Sequence, residues 1–397
     1  MLSKRFLFSR LPMTALAVSC AAFSFASAHD RDDDEDERRD PILSFSTVGD
    51  SRQDPVAPDS STQPVYGQDS IWLQNTKAWT RIIRGVQEQK SDMLFFNGDM
   101  IMGYGNAILP ANTGTVAGIL GSDLVAFYKQ YAFWRGLVAG LMETGTYVFP
   151  VAGNHETQWK AGGKKAQVAN ENAWRENMGD LIVDQRRFQG LLGEAAANPA
   201  VGDNRSALDG LTSDQSKLSY SFDFRGSHFA VVNTDPVGKD SHAPTNWLAA
   251  DLYSAQARGA KNFFVFGHKP AFTYYYGSII PAPPATPLPG KLSGLDVDAP
   301  ARDAFWDVIE QYGAVYFCGH EHIYNVSQPK GKAWQIIVGS GGSPFEALPH
   351  DPTLSPTDRY YAWATVKVGR HNHVSIRTYG FDDAYGPTRL LKSITLH

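Results

Sequence analysis

The sequence predicts an α/β protein, because short apolar runs that read as buried strands alternate with segments of helical periodicity. Five of these runs end in Gly or an Asn-Gly pair followed by polar residues, which is typical of strands whose carboxyl ends open into loops. The runs span residues 45–48, 93–96, 147–152, 263–266 and 315–318. Apolar residues at a mostly helical period predict a helix over 70–89, between the first two runs.

Each of the five strands is followed by a fragment rich in metal-ligand residues. The fragments are Gly49-Asp50-Ser51-Arg52, Asn97-Gly98-Asp99, Gly153-Asn154-His155-Glu156, Gly267-His268 and Gly319-His320-Glu321-His322. Sites in α/β sheets gather at the carboxyl ends of strands. We therefore expect two Asp, one Asn and three or four His at one edge of a sheet. This is a ligand set for two transition metals about 3.5–4 Å apart, an arrangement that attacks phosphate esters.

The rest of the chain supplies further elements in order. Helices are predicted over 124–142, 245–258 and 300–312, a hairpin over 220–235, and a Pro- and Gly-rich loop over 277–300. Strands near 334–338, 361–368 and 373–380 are expected to complete a second sheet. Alternating Val366, Val368, Val374 and Ile376 favour a half-buried hairpin in the last two.

The N-terminus predicts export. Lys4, Arg5 and Arg10 precede an apolar stretch, and Ala26-Ser27-Ala28 is a small-x-small cleavage site, so residues 1–28 are interpreted as a secretory signal. A membrane anchor is the competing interpretation, but the stretch is short and interrupted by polar residues. A lipoprotein site at Cys20 has a poor surrounding motif. We expect a periplasmic or secreted protein with no membrane anchor after cleavage.

Charge and cysteine content narrow the function classes. The signal carries +3 and the acidic residues 29–40 carry −5, which leaves −3 for residues 41–397. A nearly neutral body argues against nucleic-acid binding by electrostatics. Residues 29–40 are expected to be a disordered, solvating leader. Cys318 is the only cysteine after the signal, so no intrachain disulfide is expected, and it is interpreted as a small core residue.

One domain is expected over residues 41–397, because the strand-end fragments are spread from Asp50 to His322 and must converge. Residues 157–218 form a long polar stretch, with Trp159 and Trp174, between two of these fragments. Long connections of this kind are usually functional or disordered. We interpret this stretch as an insertion that forms a cap facing the substrate.

The order and the residues of the fragments resemble the motifs of the calcineurin-like metallophosphoesterases, which include the purple acid phosphatases. The family pattern runs D-x-H, G-D-x-x-D, G-N-H-[DE], an isolated G-H and G-H-x-H, and the resemblance covers roughly residues 42–345. It implies two packed mixed β-sheets flanked by helices. It also implies a small phosphate-ester substrate and two divalent or trivalent transition metal ions, with Fe, Mn or Zn left open.

The resemblance also implies a role for each residue. Asp99 bridges both metals, Asp50 and His322 bind the first metal, and the second metal is bound by Asn154, His268 and His320. His155 matches the residue that donates a proton to the leaving alkoxide or stabilises its charge. Glu156 is expected to hold the His155 ring in its orientation.

Two departures from the family pattern concern the first metal. Arg52 stands where the first motif has His, and Met102 stands where the second motif has its trailing Asp. Purple acid phosphatases also lack that His and have a Tyr at the position of Met102. Arg cannot bind a metal, so water or Tyr104 is expected to complete the shell of the first metal. Arg52 is interpreted either as a clamp on the substrate phosphate or, equally, as part of a structural salt bridge.

Three functions remain open on the sequence. The leading one is an exported phosphoesterase with a slight preference for phosphomonoesters, and the alternative enzyme is a phosphodiesterase acting on nucleotides or glycerophosphodiesters. The alternative of another class is a metal- or phosphate-binding protein without turnover. Tyr274-Tyr275-Tyr276 either line the substrate groove or form a packed cluster, and Gly339–Gly342 are expected to form a tight turn beneath the site.

Overall fold

Two mixed β-sheets pack against each other in this computed structural model, which describes residues 41–55, 72–109, 111, 114–202, 206–273, 292–346 and 359–396. The six-stranded sheet has the order β15-β14-β13-β1-β2-β3, and β1, β2 and β3 are parallel to one another. Its strands are β1 (Leu43–Val48), β2 (Met93–Phe96), β3 (Tyr147–Pro150), β13 (Tyr361–Val368), β14 (Val374–Phe381) and β15 (Arg389–Leu396).

The seven-stranded sheet has the order β11-β12-β10-β9-β8-β7-β6. Its four central strands, β12, β10, β9 and β8, are parallel, and the outer pairings are antiparallel. The strands are β6 (Ala197–Ala200), β7 (Tyr220–Phe224), β8 (Ser227–Val232), β9 (Asn262–Gly267), β10 (Val315–Cys318), β11 (Tyr324–Ser327) and β12 (Gln335–Val338). A separate short hairpin is formed by β4 (Gln158–Trp159) and β5 (Lys165–Ala166).

Helices cover the sheets. They are α1 (Trp72–Glu88), α2 (Val116–Leu120), α3 (Asp123–Glu143), α4 (Asn154–Thr157), α5 (Val168–Met178), α6 (Gln185–Leu192), α7 (Thr245–Ala257) and α8 (Ala299–Gln311). Short 3₁₀ turns lie at Ser206–Asp209, Gly294–Val297 and Arg370–Asn372. Helix α1 packs on β13, α3 packs on β3, and α7 packs on β8 and α8. No helix among the described residues has the length and apolar composition needed to cross a bilayer.

Aromatic side chains fill the space between the two sheets. The ring of Phe45 on β1 makes edge contacts with Phe264 and Phe317 of the other sheet, at centroid distances of 4.8 and 5.8 Å. Phe95 on β2 stacks on Phe266 of β9 at 3.9 Å. All five side chains are buried, and such ring pairs add to the free energy gained from burying their area. The two sheets therefore form one core and are held in a fixed relation.

The loops after the central strands are joined across the two sheets by backbone hydrogen bonds. The N–H of Gly49, after β1, donates to the carbonyl of Val338 at the end of β12, at 2.9 Å. The N–H groups of Gly341 and Ser343 donate back to the carbonyls of Gly49 and Asp50, at 2.8 and 2.9 Å. The Gly339–Gly342 segment is thus a turn that supports the first motif loop.

The predicted fold class is confirmed, since two mixed sheets with flanking helices are present. The single sheet edge expected for all five fragments is wrong. The fragments after β1, β2 and β3 belong to one sheet, and those after β9 and β10 belong to the other. The parallel strands of both sheets have their carboxyl ends on the same side of the molecule, so the fragments still meet.

The expected second sheet is also composed differently. Strand β12 lies in the seven-stranded sheet, whereas β13 and β14 pair with β1 in the six-stranded sheet. Five strands were not predicted: β4, β5 and β6 within residues 157–218, the short strand β11, and β15, an edge strand with mostly exposed side chains. A sheet partner is a tertiary property, and local patterns do not encode it.

Residues 157–218 are largely built into the domain. Trp174 on α5 and Phe188 on α6 are fully buried in the core, and β6 extends the seven-stranded sheet as its edge strand. That the segment also faces the substrate stays a prediction. The signal at 1–28, the leader at 29–40, Tyr274-Tyr275-Tyr276 and residues 277–291 of the predicted loop lie outside the described residues.

Candidate metal centre

The backbone at the strand ends is shaped to bring side chains together. Asp50, Asp99 and His320 have φ values of 65°, 53° and 70°, in the left-handed region that Asp and His enter more readily than most residues. Gly98, with φ of 82°, lies so close to the His268 ring that an added Cβ would be 2.6 Å from Nδ1. A Cβ at Gly319 would overlap the Asp50 carboxylate. Glycine is needed at these two positions because ligand side chains pack against their backbone.

Three side chains converge on one point, and we call them the second-metal group: Asn154, His268 and His320. The Asn154 Oδ1 atom lies 2.8 Å from His268 Nε2 and 2.8 Å from His320 Nδ1. The two imidazole nitrogens are 3.3 Å apart. Asn154 and His268 are fully buried, so these polar atoms face one another away from bulk water.

Asp99 connects this group to the rest of the site. Its Oδ1 atom is 3.1 Å from His268 Nε2, while its Oδ2 atom has no hydrogen-bond partner among the described residues although it is buried. Ligand atoms of Asp50, Asp99 and His268 all lie within 4.8 Å of one another. The carboxylate of Asp99 therefore lies where one side chain can contact two cations.

Asp50 and His322 form the first-metal group together with Asp99. His322 Nε2 is 3.7 Å from Asp50 Oδ1 and has no hydrogen-bond partner among the described residues. The backbone N–H of His320 donates to both oxygens of Asp50, at 3.2 and 3.0 Å, and so orients the carboxylate. All six residues predicted as ligands are thus brought to one place, from five loops and both sheets.

The protonation of two imidazoles can be assigned from their outer contacts. His268 Nδ1 is 2.8 Å from the Asn97 carbonyl oxygen, and His322 Nδ1 is 2.9 Å from the Pro344 carbonyl oxygen. A carbonyl only accepts hydrogen bonds, so each Nδ1 must carry the proton. In the neutral rings, both Nε2 atoms then present lone pairs toward the carboxylates. Such outer hydrogen bonds are what fix a metal-binding histidine.

The distances and donor types fit a transition-metal centre. Ligand atoms about 2.0–2.2 Å from one ion lie roughly 3–3.5 Å from each other at octahedral or tetrahedral angles. The separations of 2.8–3.3 Å in the second-metal group are close to that spacing. A mixture of imidazole, carboxylate and amide oxygen suits Zn, Fe or Mn. The residues therefore fit a pair of such ions, with the fuller donor set on the side of Asn154.

The electrostatics of the cluster attract positive charge. Burial raises the pKa of Asp50 well above its usual value. Burial acts in the same direction on Asp99, but the imidazoles of His155 and His268 hold its pKa well below the usual value. Burial opposes a charge on His268, yet Asp99 and Asp50 raise its pKa to about 9. A metal cation would displace that proton and satisfy the same carboxylates.

Arg52 reaches the same carboxylate from the other side. Its guanidinium nitrogen is 3.7 Å from Asp99 Oδ2, and 14% of its side chain is exposed. The residue has a φ of 43°, so the loop is bent to direct it there. This position, beside the shared carboxylate and partly open to solvent, is compatible with both interpretations of Arg52.

His155 lies against Asp99 with its ring fixed by the main chain. Its Nδ1 atom is 2.5 Å from the Met102 carbonyl oxygen, and its Nε2 atom is 3.5 Å from Asp99 Oδ2. Burial and the charge of Arg52 lower the pKa of His155 to about 3, so the ring is neutral near pH 7. The Nδ1 proton is held by Met102, and Nε2 faces the site.

Glu156 does not hold the His155 ring, which corrects the expectation from sequence. Its carboxylate accepts four backbone N–H groups instead, from Asp99, Met100, Ile101 and Gly153, at 2.9, 2.9, 3.2 and 2.7 Å. A carboxylate that closes two loops has no oxygen directed at the imidazole, and the Met102 carbonyl takes that role. Glu156 thus shapes the loop that carries Asp99. Burial and the nearby Asp99 raise the pKa of Glu156 to about 7.

Tyr104 is placed differently from the expectation that it completes the first metal's shell. Its hydroxyl makes a short hydrogen bond with the Asn154 side-chain nitrogen, on the side of the second-metal group. Its ring lies against His155 with a centroid distance of 3.8 Å. Tyr104 therefore contacts one predicted ligand and the predicted proton donor.

Three further residues border the site and were not identified from the sequence. Ser293 Oγ is 2.9 Å from His320 Nε2, and Glu346 Oε2 accepts the His322 N–H at 3.1 Å. Lys269 is buried and donates to Asp235 Oδ1 at 2.6 Å. Of these three residues, only Lys269 could have been identified from the sequence, because it directly follows His268. Ser293 and Glu346 lie in loops whose composition does not distinguish them.

Comparisons with known proteins agree with this geometry. A family profile described as calcineurin-like phosphoesterase matches residues 71–324. A purple acid phosphatase from yellow lupin (Lupinus luteus) seeds is similar in structure, with a TM-score of 0.54 and 13% identity over 90% of this chain. A dimetal phosphatase from Danio rerio matches with a TM-score of 0.50 and 13% identity, over 90% of this chain and 99% of that one.

At these identities the two structures show the fold alone, and the chain spans about half (54%) of the lupin protein. A search among curated protein sequences found no significant match. The profile match covers well over half of the chain and includes the loops that carry Asp99, Asn154, His268, His320 and His322. The chain therefore belongs to the calcineurin-like phosphoesterase family.

Proposed function

We propose that the protein is an exported, dinuclear metal-dependent phosphoesterase that hydrolyses phosphate esters, with phosphomonoesters slightly preferred. The observation that carries the proposal is Asp99, whose buried carboxylate lies between two donor groups. Asn154, His268 and His320 lie on one side of it, and Asp50 and His322 lie on the other. A shared carboxylate between two such groups is suited to a metal pair.

The residues divide into holders of cations and groups that act on the substrate. The second-metal group with Asp99 would hold one ion, and the first-metal group would hold the other. When bound, the ions supply Lewis-acid polarisation of the phosphate and lower the pKa of a coordinated water. The outer hydrogen bonds of His268 and His322 keep their ligand atoms directed inward before any ion arrives.

Arg52 supplies the fixed positive charge for the substrate. Its guanidinium lies 3.7 Å from Asp99 Oδ2, beside the carboxylate that would hold both ions. The guanidinium N–H groups lie in one plane and can donate hydrogen bonds to two phosphate oxygens at once. In this proposal Arg52 orients the ester and stabilises charge that develops on the phosphate oxygens.

His155 acts on the leaving group. Its Nε2 atom faces the site, but the neutral ring can only accept a proton there, because its single proton is on Nδ1. An anionic phosphate ester close to Nε2 favours the protonated ring through its negative charge. Nε2 takes a proton from solvent as the ester binds, and the imidazolium donates it to the departing alkoxide, so that the alcohol leaves and the ring returns to its neutral form. Met102 keeps the ring oriented through both steps.

Export is supported by the basic start of the chain, its apolar stretch and the Ala26-Ser27-Ala28 site. Expression of the full chain in a bacterial host and N-terminal sequencing of the extracytoplasmic fraction test it. We expect a mature chain that begins at His29. A chain that keeps residues 1–28 and remains in the cytoplasm would contradict export.

Hydrolysis is tested on p-nitrophenyl phosphate and bis(p-nitrophenyl) phosphate, with metal analysis of the same preparation. We expect metal-dependent release of nitrophenol, faster from the monoester. Faster release from the diester favours the phosphodiesterase alternative. Metal binding without release from either ester, across a wider ester panel, would overturn the enzyme proposal and favour a binding protein. Asp99→Asn serves as the inactive control.

A further inference from the structure

Tyr104 contacts a proposed metal ligand, Asn154, and the proposed proton donor, His155. Its hydroxyl accepts a short hydrogen bond from the Asn154 Nδ2 group. Its ring packs on the imidazole of His155, with centroids 3.8 Å apart and planes inclined by 42°. Neither the ligand role expected from the sequence nor the proposed mechanism uses these two contacts.

The contact with Asn154 gives its amide nitrogen a partner on the side away from the two imidazoles. Only the amide oxygen can bind a cation, and the two ends have nearly the same shape. Here Oδ1 faces His268 and His320 at 2.8 Å each, while Nδ2 faces Tyr104. In the reverse orientation, Nδ2 would lie among the imidazole nitrogens and Oδ1 would face the hydroxyl. The hydrogen bond from Nδ2 to the tyrosine oxygen holds the amide in the orientation that keeps Oδ1 toward His268 and His320.

Tyr104 is itself held in place. Its backbone N–H donates to the His155 carbonyl at 2.9 Å, and its carbonyl accepts the Lys160 N–H at 3.0 Å. Burial raises the pKa of the Tyr104 hydroxyl, so the group stays neutral. The residue has a φ of 60°, an uncommon conformation for tyrosine, which the surrounding contacts must stabilise.

We propose that Tyr104 is a positioning residue, whose hydroxyl directs the Asn154 oxygen to the second metal and whose ring holds His155 in place. The proposal rests on the proposed function for the role of the metal and of His155. It separates two parts of one side chain: the hydroxyl acts on cation affinity, and the ring acts on proton donation.

The hydroxyl is tested with Tyr104→Phe, which keeps the ring. Zn²⁺ affinity is measured by competition with a chromophoric chelator, and folding is checked by circular dichroism and thermal melting. Loss of an outer partner of a metal ligand typically weakens affinity tenfold to a hundredfold, and we expect a loss of about that size for the tighter ion. Tyr220→Phe is the matched control, since Tyr220 is also buried and its hydroxyl donates to the Pro150 carbonyl.

A double variant tests whether the Tyr104 hydroxyl acts by orienting the Asn154 amide. In Asn154→Asp, both side-chain oxygens can bind a cation, so the orientation no longer matters. Adding Tyr104→Phe to that variant should then change Zn²⁺ affinity less than threefold, roughly within the scatter expected for uncoupled changes. An equal loss in both backgrounds would show that the hydroxyl does not act through the amide.

The ring is tested with Tyr104→Leu. Relative to Tyr104→Phe, we expect kcat to fall a further tenfold or so while KM stays the same, because loss of a positioned acid lowers turnover rather than substrate binding. Equal kcat in the two variants would overturn the role of the ring.

The outcomes distinguish this proposal from the proposed function. Zn²⁺ affinity within twofold of the parent in Tyr104→Phe, or an equal loss in Tyr220→Phe, overturns the role of the hydroxyl even if the enzyme is active. Weakened affinity in Tyr104→Phe alone supports that role even if no phosphate ester is hydrolysed. The affinity measurement needs no turnover.

Discussion

The Asp99 Oδ2 and His155 Nε2 atoms are 3.5 Å apart, but the two residues have different expected roles. Single substitutions can distinguish these roles. Asp99→Asn removes the charge shared by both donor groups, so we expect release of at least one metal and loss of hydrolysis. His155→Asn removes only a group that acts on the leaving alkoxide. We expect it to keep its metals and to lower kcat by about 10²–10⁴-fold. Metal analysis with steady-state kinetics checks both, and equal metal loss in the two variants would show that this division is wrong.

Arg52 is one of the two positions where the chain departs from the family pattern. If it grips the phosphate, Arg52→Ala lowers kcat/KM roughly tenfold to a hundredfold, as expected for a lost charge-assisted hydrogen bond of about 1.5–3 kcal/mol, with metal content unchanged. Arg135→Ala is the control, because Arg135 pairs with Asp180 on the surface and should leave the kinetics unchanged. Intact kinetics with a lower melting temperature in Arg52→Ala would favour the structural salt bridge.

The substitution Arg52→His tests the same position from the side of the metal. The first-metal group has three donor side chains, Asp50, Asp99 and His322, and a guanidinium cation lies beside them. We expect the parent protein to lose the first ion more readily on dialysis than the second. Arg52→His removes the cation and adds an imidazole, so it should retain that ion better while still losing the phosphate contact. Metal-to-protein ratios after dialysis measure the difference.

At the scale of elements, Glu156 links the loop after β2 to the start of α4. Its carboxylate accepts four backbone N–H groups, and the side chain is fully buried. Glu156→Gln turns one end into a donor, which leaves buried N–H groups unsatisfied at about 1–3 kcal/mol each. We expect a clear fall in melting temperature and weaker metal binding, because this loop carries Asp99. An unchanged melting temperature would contradict the structural role.

The hairpin β7–β8 and helix α7 are joined by a buried histidine outside the metal centre. His228 Nδ1 is 2.6 Å from Asp223 Oδ1, and Nε2 is 3.0 Å from Asp251 Oδ2. Burial opposes its charge, but the two carboxylates raise the pKa of His228 above its usual value. Only the imidazolium has a proton for each carboxylate, so its charged form makes both hydrogen bonds.

This arrangement predicts a pH dependence of stability. A raised pKa in the folded state means that the contribution of His228 is fully present below about pH 6.5 and is lost as pH rises through the folded pKa. Burial opposes the charge of Asp223 as well, but hydrogen bonds from His228 and Arg258 lower its pKa to about 2. The contribution of Asp223 is present above about pH 4 and is lost as pH falls toward 2. The contacts between His228 and its two carboxylates should therefore contribute most to the stability of the folded state between about pH 4 and 6.5.

Urea unfolding of the parent and His228→Gln, compared at pH 5 and pH 9, measures this effect. The difference in unfolding free energy should be larger at pH 5, by about 1.4 kcal/mol for each pKa unit by which His228 is raised. His242→Gln is the control, because His242 is partly exposed and its ring contacts the Asp298 carboxylate and the Asp240 carbonyl oxygen rather than two carboxylates. A difference for His228→Gln that is independent of pH would contradict a charged, doubly bonded ring.

At the scale of the whole molecule, the metal centre joins the two sheets. Asp50, Asp99 and Asn154 follow strands of the six-stranded sheet, and His268 and His320 follow strands of the other. Ions bound by both sets stabilise the folded state by mass action, by about 4 kcal/mol at a thousand times the Kd. We expect EDTA to lower the melting temperature by several degrees and added metal to restore it. Calorimetry should show little response in Asp99→Asn, and a parent protein insensitive to EDTA would contradict the prediction.

The sequence alone determined the features that are local. Each strand that precedes a ligand contains an apolar run of four to six residues, and the ligand lies within four residues of the strand end. The sequence therefore places Asp50, Asp99, Asn154, His268 and His320 at strand ends. The family resemblance and the α/β class follow from the same short fragments. These features are readable because burial of a strand and the turn after it depend on neighbouring residues in the chain.

The tertiary structure decided how those local pieces combine. It assigns β9 and β10 to a different sheet from β1, β2 and β3, and it directs Glu156 to four backbone N–H groups and Tyr104 to the Asn154 amide. It also brings in Ser293 and Glu346 from loops with no motif of their own. Each of these contacts depends on the packing of segments far apart in the chain. Apolar patterning selects which face of a strand is buried, but the hydrogen-bond partner of a buried polar group is selected only when the two sheets meet.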